Sequence, residues 1–166
     1  MDLPGVPSAL LVELRGAAHQ AGSQRLALVG GAVRDGLLHR QHGWAWSGVP
    51  DLDLVVEGKA AAVAEALLQR CGAERLNHCV EHGAFGTVAL TLDGQSLDLA
   101  TARGEVYPAP GHNPQVRAGT LLADLVRRDF TINAMAWDLM SGELIDPHGG
   151  RQHLVSKQLV FLHQRS

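Results

Sequence analysis

The chain has 166 residues, 46% hydrophobic and 19% charged, with a formal net charge of −3 at neutral pH. That suffices for one domain with its own core. It argues against a membrane span, since apolar runs such as LALV and AAAVAEALL are far too short, and against a broad basic nucleic-acid face, since no block of lysines and arginines occurs. The start, MDLPGVPSALLVELRG, lacks the basic and continuously apolar parts of a signal peptide, so a cytoplasmic protein is expected. Cys71 and Cys79 are read as bystander thiols, and the nine histidines as scattered surface residues rather than zinc ligands.

Ser8 is the expected N-cap of a first helix whose apolar positions Leu10, Leu11, Leu14, Ala17 and Ala18 follow helical spacing up to about Gly22. RLALV then reads as a strand. Gly30-Gly31 form a turn into a short helix reaching about Arg40, a geometry that aims backbone N–H groups and a helix N-terminus at one spot, as phosphate sites require. QHGWAWSGVP is a loop, DLDLVVEG a second strand, and KAAAVAEALLQRCG a helix closed by Gly72. GAFGTVALTLDGQSLDLATAR predicts a hairpin turning at Asp93-Gly94. The Gly- and Pro-rich stretch from Arg103 to Gly119 reads as a mobile loop. TLLADLVRRD is helical with Thr120 as N-cap, and INAMAWDLMSGELIDP suggests a hairpin turning at Ser141-Gly142. The order α-β-α-β-α-β-β-α-β-β fits an α+β fold, a mixed sheet with helices on one side, better than a parallel βαβ series.

Asp51 and Asp53 stand two apart on a strand, so both carboxylates project from one face. Close carboxylates repel, and Mg²⁺, which binds one or two carboxylates together with substrate phosphate oxygens, relieves the repulsion. Asp98, in SLDLATAR, joins them as a third acid if its strand pairs beside theirs. Arg127 and Arg128 are adjacent and diverge by about 100° on a helix, which predicts separate roles, one facing a nucleotide. The glycine turn matches neither G-x-G-x-x-G nor the P-loop pattern, so dehydrogenase and P-loop hydrolase readings fall away.

Taken together and in order, LVGGAVRDGLL, DLDLVV, LDLATARGEVYPAPGHNP, DLVRRDFTINAMAWD and ELIDPHGG closely resemble the class II tRNA nucleotidyltransferase (CCA-adding) and bacterial poly(A) polymerase family, of the DNA polymerase β-like superfamily. The likeness covers nearly all of residues 25–166, and RRDFTINAMA is its most specific part. It implies a nucleotidyltransferase head with a mostly antiparallel sheet, preceded by a helix within residues 1–24 packed on it. By resemblance, Asp51 and Asp53 bind catalytic Mg²⁺ with Asp98 as a less secure partner. Gly30, Gly31, Arg34, Arg103 and Arg128 contact an incoming CTP or ATP, and the segment around Arg103–Pro114 is a flexible loop that helps switch nucleotide choice. The 3′ end of tRNA is the implied acceptor. The helical neck, body and tail that select the base and hold tRNA in the family are expected to be absent from these residues. QHGWAWSGVP is longer than the family's usual link, which could bring Trp44 and Trp46 near the site mouth. Poly(A) addition, or an isolated nucleotide- or metal-binding module without turnover, remain as alternatives.

Overall fold

A computed structural model describes residues 3, 5–44, 48, 51–84, 86–106, 108–113 and 115–163. Among the described residues, strands and helices follow in the order α1 (Ser8–Gln20), β1 (Arg25–Val29), α2 (Gly31–His42), β2 (Asp51–Glu57), α3 (Ala60–Cys71), β3 (Leu76–His82), β4 (Thr87–Leu92), β5 (Gln95–Thr101), β6 (Arg103–Val106), β7 (Gln115–Ala118), α4 (Leu121–Val126), β8 (Ala136–Asp138), β9 (Leu144–Ile145) and α5 (Gly150–Val155). A 3₁₀ turn, Thr131–Asn133, precedes β8. Seven strands form one sheet, ordered β3-β4-β5-β2-β1-β8-β9, and β6 and β7 form a separate two-stranded ribbon. Every pairing in the large sheet is antiparallel except β2 with β5. The architecture is thus the α+β, mostly antiparallel one expected from the sequence.

Alternation along the central strands divides the molecule into two layers. Leu26, Leu28, Leu52, Leu54, Val56, Leu97 and Leu99 join one core cluster with α1, α2 and α3. Ala27, Val29, Val55 and Ala136 face the other way, where Leu121 and Leu125 of α4 cover them. Asp51, Asp53 and Asp98 fall in the same alternation as Val55 and so share that second, thinly covered face. The helical layer is therefore almost entirely on one side, and α4 alone among the larger pieces reaches across to the side that bears the acids.

Several local expectations are met by their physical causes. Gly72 closes α3 with φ 78°, its N–H donating to Leu68 O. Asp93 and Gly94 both take positive φ, 49° and 80°, as a tight two-residue hairpin turn demands. Thr120 caps α4, its Oγ1 accepting the Ala123 N–H at 3.2 Å. Gly142 turns the β8–β9 hairpin at φ 76°.

Others are corrected. α1 is N-capped by Pro7, with Ser8 as its first helical residue and no side-chain cap. The stretch from Arg103 to Gly119 is no featureless loop, because its flanks pair as β6 and β7 and its Gly and Pro residues gather at the tip and roots. The sequence reading passes over β3, since only Leu76 of its seven residues is buried and no apolar alternation marks this edge strand. It also passes over α5, a six-residue helix N-capped by Gly149 whose first N–H groups, of Gly150 and Arg151, donate to the Asp146 carboxylate. His78 and His82 stand four apart, but on a strand with a bulge between Asn77 and Val80 rather than on one helix face.

Candidate functional site

The parallel pairing of β2 with β5 places Asp53 directly opposite Asp98, and Asp51 opposite Ser96. Asp98 thereby joins the pair of acids, a point of register that the sequence leaves open. The Asp53 carboxyl is pushed above its ordinary range, first by desolvation and then by the Asp98 carboxylate; Arg128 pulls it back, and Asp51 adds a further push. Three hard oxygen donors in mutual repulsion suit Mg²⁺ chemically. Among the described residues no three His, Cys, Asp or Glu side chains converge closely enough to enclose an ion. An ion held by these acids would have to take the rest of its shell from phosphate oxygens and water.

Gly30 follows β1 as the N-cap of α2, at φ 68°, ψ −136°, and α2 starts at Gly31. A methyl group on Gly30 would stand 3.6 Å from Arg128 Nη1 and 4.0 Å from Asp53 Oδ2. The glycine turn, the acid row and the RRD segment therefore meet at one place. Glycine serves there twice: it tolerates the positive φ, and it leaves open the space beside a cation and a carboxylate. Arg34, one turn into α2, is fixed by donating from Nη1 to Asn133 Oδ1 and from Nε to Asp35 Oδ1, each at 2.8 Å. Its charge then lies near the N-terminus of α2, within 3.4 Å of a methyl placed on Gly31, where an anion is favoured.

Further along the same face, Val55 and Ala100 floor a cleft of about 240 Å³ walled by Arg103, Asp124, Arg127 and Arg128. Arg103 is held by Nη2 donating to Thr87 Oγ1 at 3.2 Å and by its backbone N–H donating to Asp124 Oδ1 at 3.2 Å. Cationic walls beside a row of carboxylates can hold a polyanion and its counter-cation together.

Arg127 and Arg128 diverge as expected, Arg127 Nε donating to Glu105 Oε1 and Arg128 Nη1 standing beside Gly30, yet both also lie against one carboxylate. Arg127 Nη1 lies 3.8 Å from Asp124 Oδ1, and Arg128 Nη2 lies 3.3 Å from Asp124 Oδ2. Residues three and four positions on are both neighbours of the residue below them on a helix, so two diverging side chains share one carboxylate. Asp124, Asn133 and Glu57, whose Oε1 accepts the Leu121 N–H at 2.5 Å, are the residues sequence reasoning missed. The i, i+4 spacing of Asp124 and Arg128 is a legible signal for the first; Asn133 and Glu57 carry none.

Trp44 packs at the C-terminal end of α2, its ring centroid 5.9 Å from that of His42 and its carbonyl 2.6 Å from His39 Nδ1. A twelve-residue helix, about 18 Å long, separates it from the glycine turn. Trp46 lies outside the described residues.

Comparison with known proteins agrees with this arrangement. Residues 26–160 match the family described as the Poly A polymerase head domain. The CC-adding tRNA nucleotidyltransferase of Deinococcus radiodurans is 46% identical over 146 residues, covering 85% of this chain and 36% of that relative. Other relatives are named A-adding tRNA nucleotidyltransferase, from Aquifex aeolicus, and CCA-adding enzyme, from Bacillus pumilus. Among solved structures, a CCA-adding enzyme in apo form II superposes with a TM-score of 0.76 at 36% identity, over 95% of this chain and 36% of that one. A tRNA nucleotidyltransferase complexed with a primer tRNA and an incoming ATP analog gives a TM-score of 0.71 at 37% identity, over 90% of this chain and 39% of that one. The chain thus spans little more than a third of the Deinococcus relative and of these two structures, and its fold is the DNA polymerase β-like one of their heads. The chain belongs to the Poly A polymerase head-domain family of nucleotidyltransferases.

Proposed function

We propose that this chain is the catalytic head of an RNA nucleotidyltransferase that adds C and/or A to tRNA 3′ ends from CTP and ATP, by a two-metal mechanism in the cytoplasm. The observation that carries the reading is the convergence of Gly30, Asp53 and Arg128, with Asp98 in register beside Asp53. Asp51 and Asp53 hold Mg²⁺, with Asp98 beside them; when bound, the metal acidifies the attacking ribose hydroxyl and neutralises phosphate charge. The N-terminus of α2 and Arg34 receive the triphosphate. Arg128, beside the glycine turn, and Arg103, in the adjoining cleft, bind the nucleotide and keep it over the acids. The relatives' names and the ATP analog and primer tRNA in one of their complexes support the choice of substrates.

The test is titration of the 166-residue chain with CTP and ATP, with and without Mg²⁺. Saturable, Mg²⁺-dependent binding that disappears in Asp51→Asn/Asp53→Asn is expected. Failure of the folded wild-type chain to bind either nucleotide overturns the reading.

A further inference from the structure

We propose that Asp124 is a positioning residue of the cleft: its single buried carboxylate fixes Arg127, Arg128 and the root of the β6–β7 ribbon in one arrangement and thereby aims the arginine donors at a bound triphosphate. The inference rests on the nucleotide reading above.

Asp124 is only 7% exposed, and a carboxylate so buried is costly unless both oxygens are satisfied. They are satisfied entirely by cleft elements. Oδ1 accepts the Arg103 N–H at 3.2 Å and lies 3.8 Å from Arg127 Nη1; Oδ2 accepts from Arg128 Nη2 at 3.3 Å. The consequence for Arg128 is directional. With Nη2 engaged by Asp124, Nη1 stands on the side of Gly30, and Nε, although buried, has no partner. Nη1 of a rigid guanidinium is thus held on the side of the glycine turn before any ligand arrives, which removes an ordering cost from binding. Arg127 extends the same anchor outward, its Nε donating to Glu105 Oε1 on β6 at 3.3 Å. One carboxylate therefore links the nucleotide-facing arginine to the ribbon.

The experiment measures the affinity of Mg²⁺-CTP and Mg²⁺-ATP for the wild-type chain, Asp124→Asn, Arg128→Ala and the double variant by calorimetry, with melting temperatures alongside. Asp124→Asn keeps the shape but removes the charge, and is expected to weaken both nucleotides about tenfold. Because Asp124 acts through Arg128, the same change in the Arg128→Ala background should cost less than about twofold. Thr120→Ala, which loosens α4 but leaves the carboxylate in place, should lower the melting temperature and leave affinity unchanged. Wild-type affinity in Asp124→Asn, a full tenfold loss on top of Arg128→Ala, or an equal loss in Thr120→Ala overturns the proposal. If Asp124→Asn does not fold, Asp124→Glu, which retains the charge but displaces it by one methylene, should still weaken binding, and unchanged affinity there overturns it too. A folded wild-type chain that binds neither nucleotide overturns this inference together with the reading beneath it; binding by wild type with no effect at Asp124 overturns the inference alone.

Discussion

Asp53 carries the electrostatic tension of the site. Its carboxyl titrates above the ordinary value of 3.8 because it is partly desolvated and faces Asp98 and Asp51. Between that ordinary value and the raised one, the folded chain holds more proton than the unfolded chain, so stability falls as pH rises through the window and the deficit persists above it. Asp53→Asn should therefore raise the melting temperature at neutral pH, and the advantage should shrink as pH falls below the ordinary carboxylate value; a pH series of thermal melts checks this. Mg²⁺ should raise the melting temperature of the wild-type chain but not of Asp51→Asn/Asp53→Asn, since binding to the folded state alone stabilises it. Arg128 stands beside the glycine turn and the acids, where the proposed function puts a nucleotide's phosphates and sugar. Arg128→Ala should weaken CTP and ATP alike, about tenfold or ~1.4 kcal/mol. A loss confined to one nucleotide in direct titration would place Arg128 at the base instead.

The ribbon is the element whose behaviour depends most on small residues. Its strands meet at their roots through Gly104 and Gly119, where a methyl on Gly119 would stand 2.6 Å from Gly104 N and 2.9 Å from Arg103 C. Neither contact is to a flexible side chain, so backbone must move. Gly119→Ala should cost about 1–3 kcal/mol by overpacking, read from urea denaturation, and should speed proteolysis within residues 103–118. The Gly and Pro residues of the stretch explain why it reads as a loop in sequence: glycine signals a break in a strand, whereas at Gly104 and Gly119 it permits two paired backbones to approach closely. α4 shows the opposite case. Thr120 announces its start, and the Glu57 carboxylate at the end of β2 completes its first turn by accepting from Leu121 N. The strand bearing Asp51 and Asp53 is thereby tied to the helix bearing Asp124.

At the scale of the molecule, a net charge of −3 gives no general attraction for RNA phosphates. On the proposed reading the glycine turn, the acids and the arginines grip a metal-triphosphate unit common to every nucleotide, and the assigned residues leave the base edge unread. The chain should therefore bind CTP, ATP, GTP and UTP within about fivefold of one another, under ~1 kcal/mol, and transfer nucleotides to a tRNA lacking its 3′ tail poorly and without order. Ordered incorporation of C and then A by these 166 residues would show that base selection resides in the head itself.

Local chemistry was readable from residue order alone. The Gly30-Gly31 turn, the Asp51/Asp53 spacing, the Asp93-Gly94 hairpin and the Thr120 cap each depend on neighbours within a few positions, so sequence carries them directly. Three matters needed the folded chain. The parallel register that sets Asp98 opposite Asp53 links residues 45 positions apart, and a slip of one would turn the carboxylate to the other face. The bond from Arg34 to Asn133 spans 99 positions and joins the glycine-turn motif to the RRDFTINAMA motif. β3 and the ribbon owe their strands to pairing partners rather than to an apolar pattern of their own, so composition reads the one as featureless and the other as loop. Contacts of that range are fixed by which faces pack and which strands pair, and those are properties of the whole core.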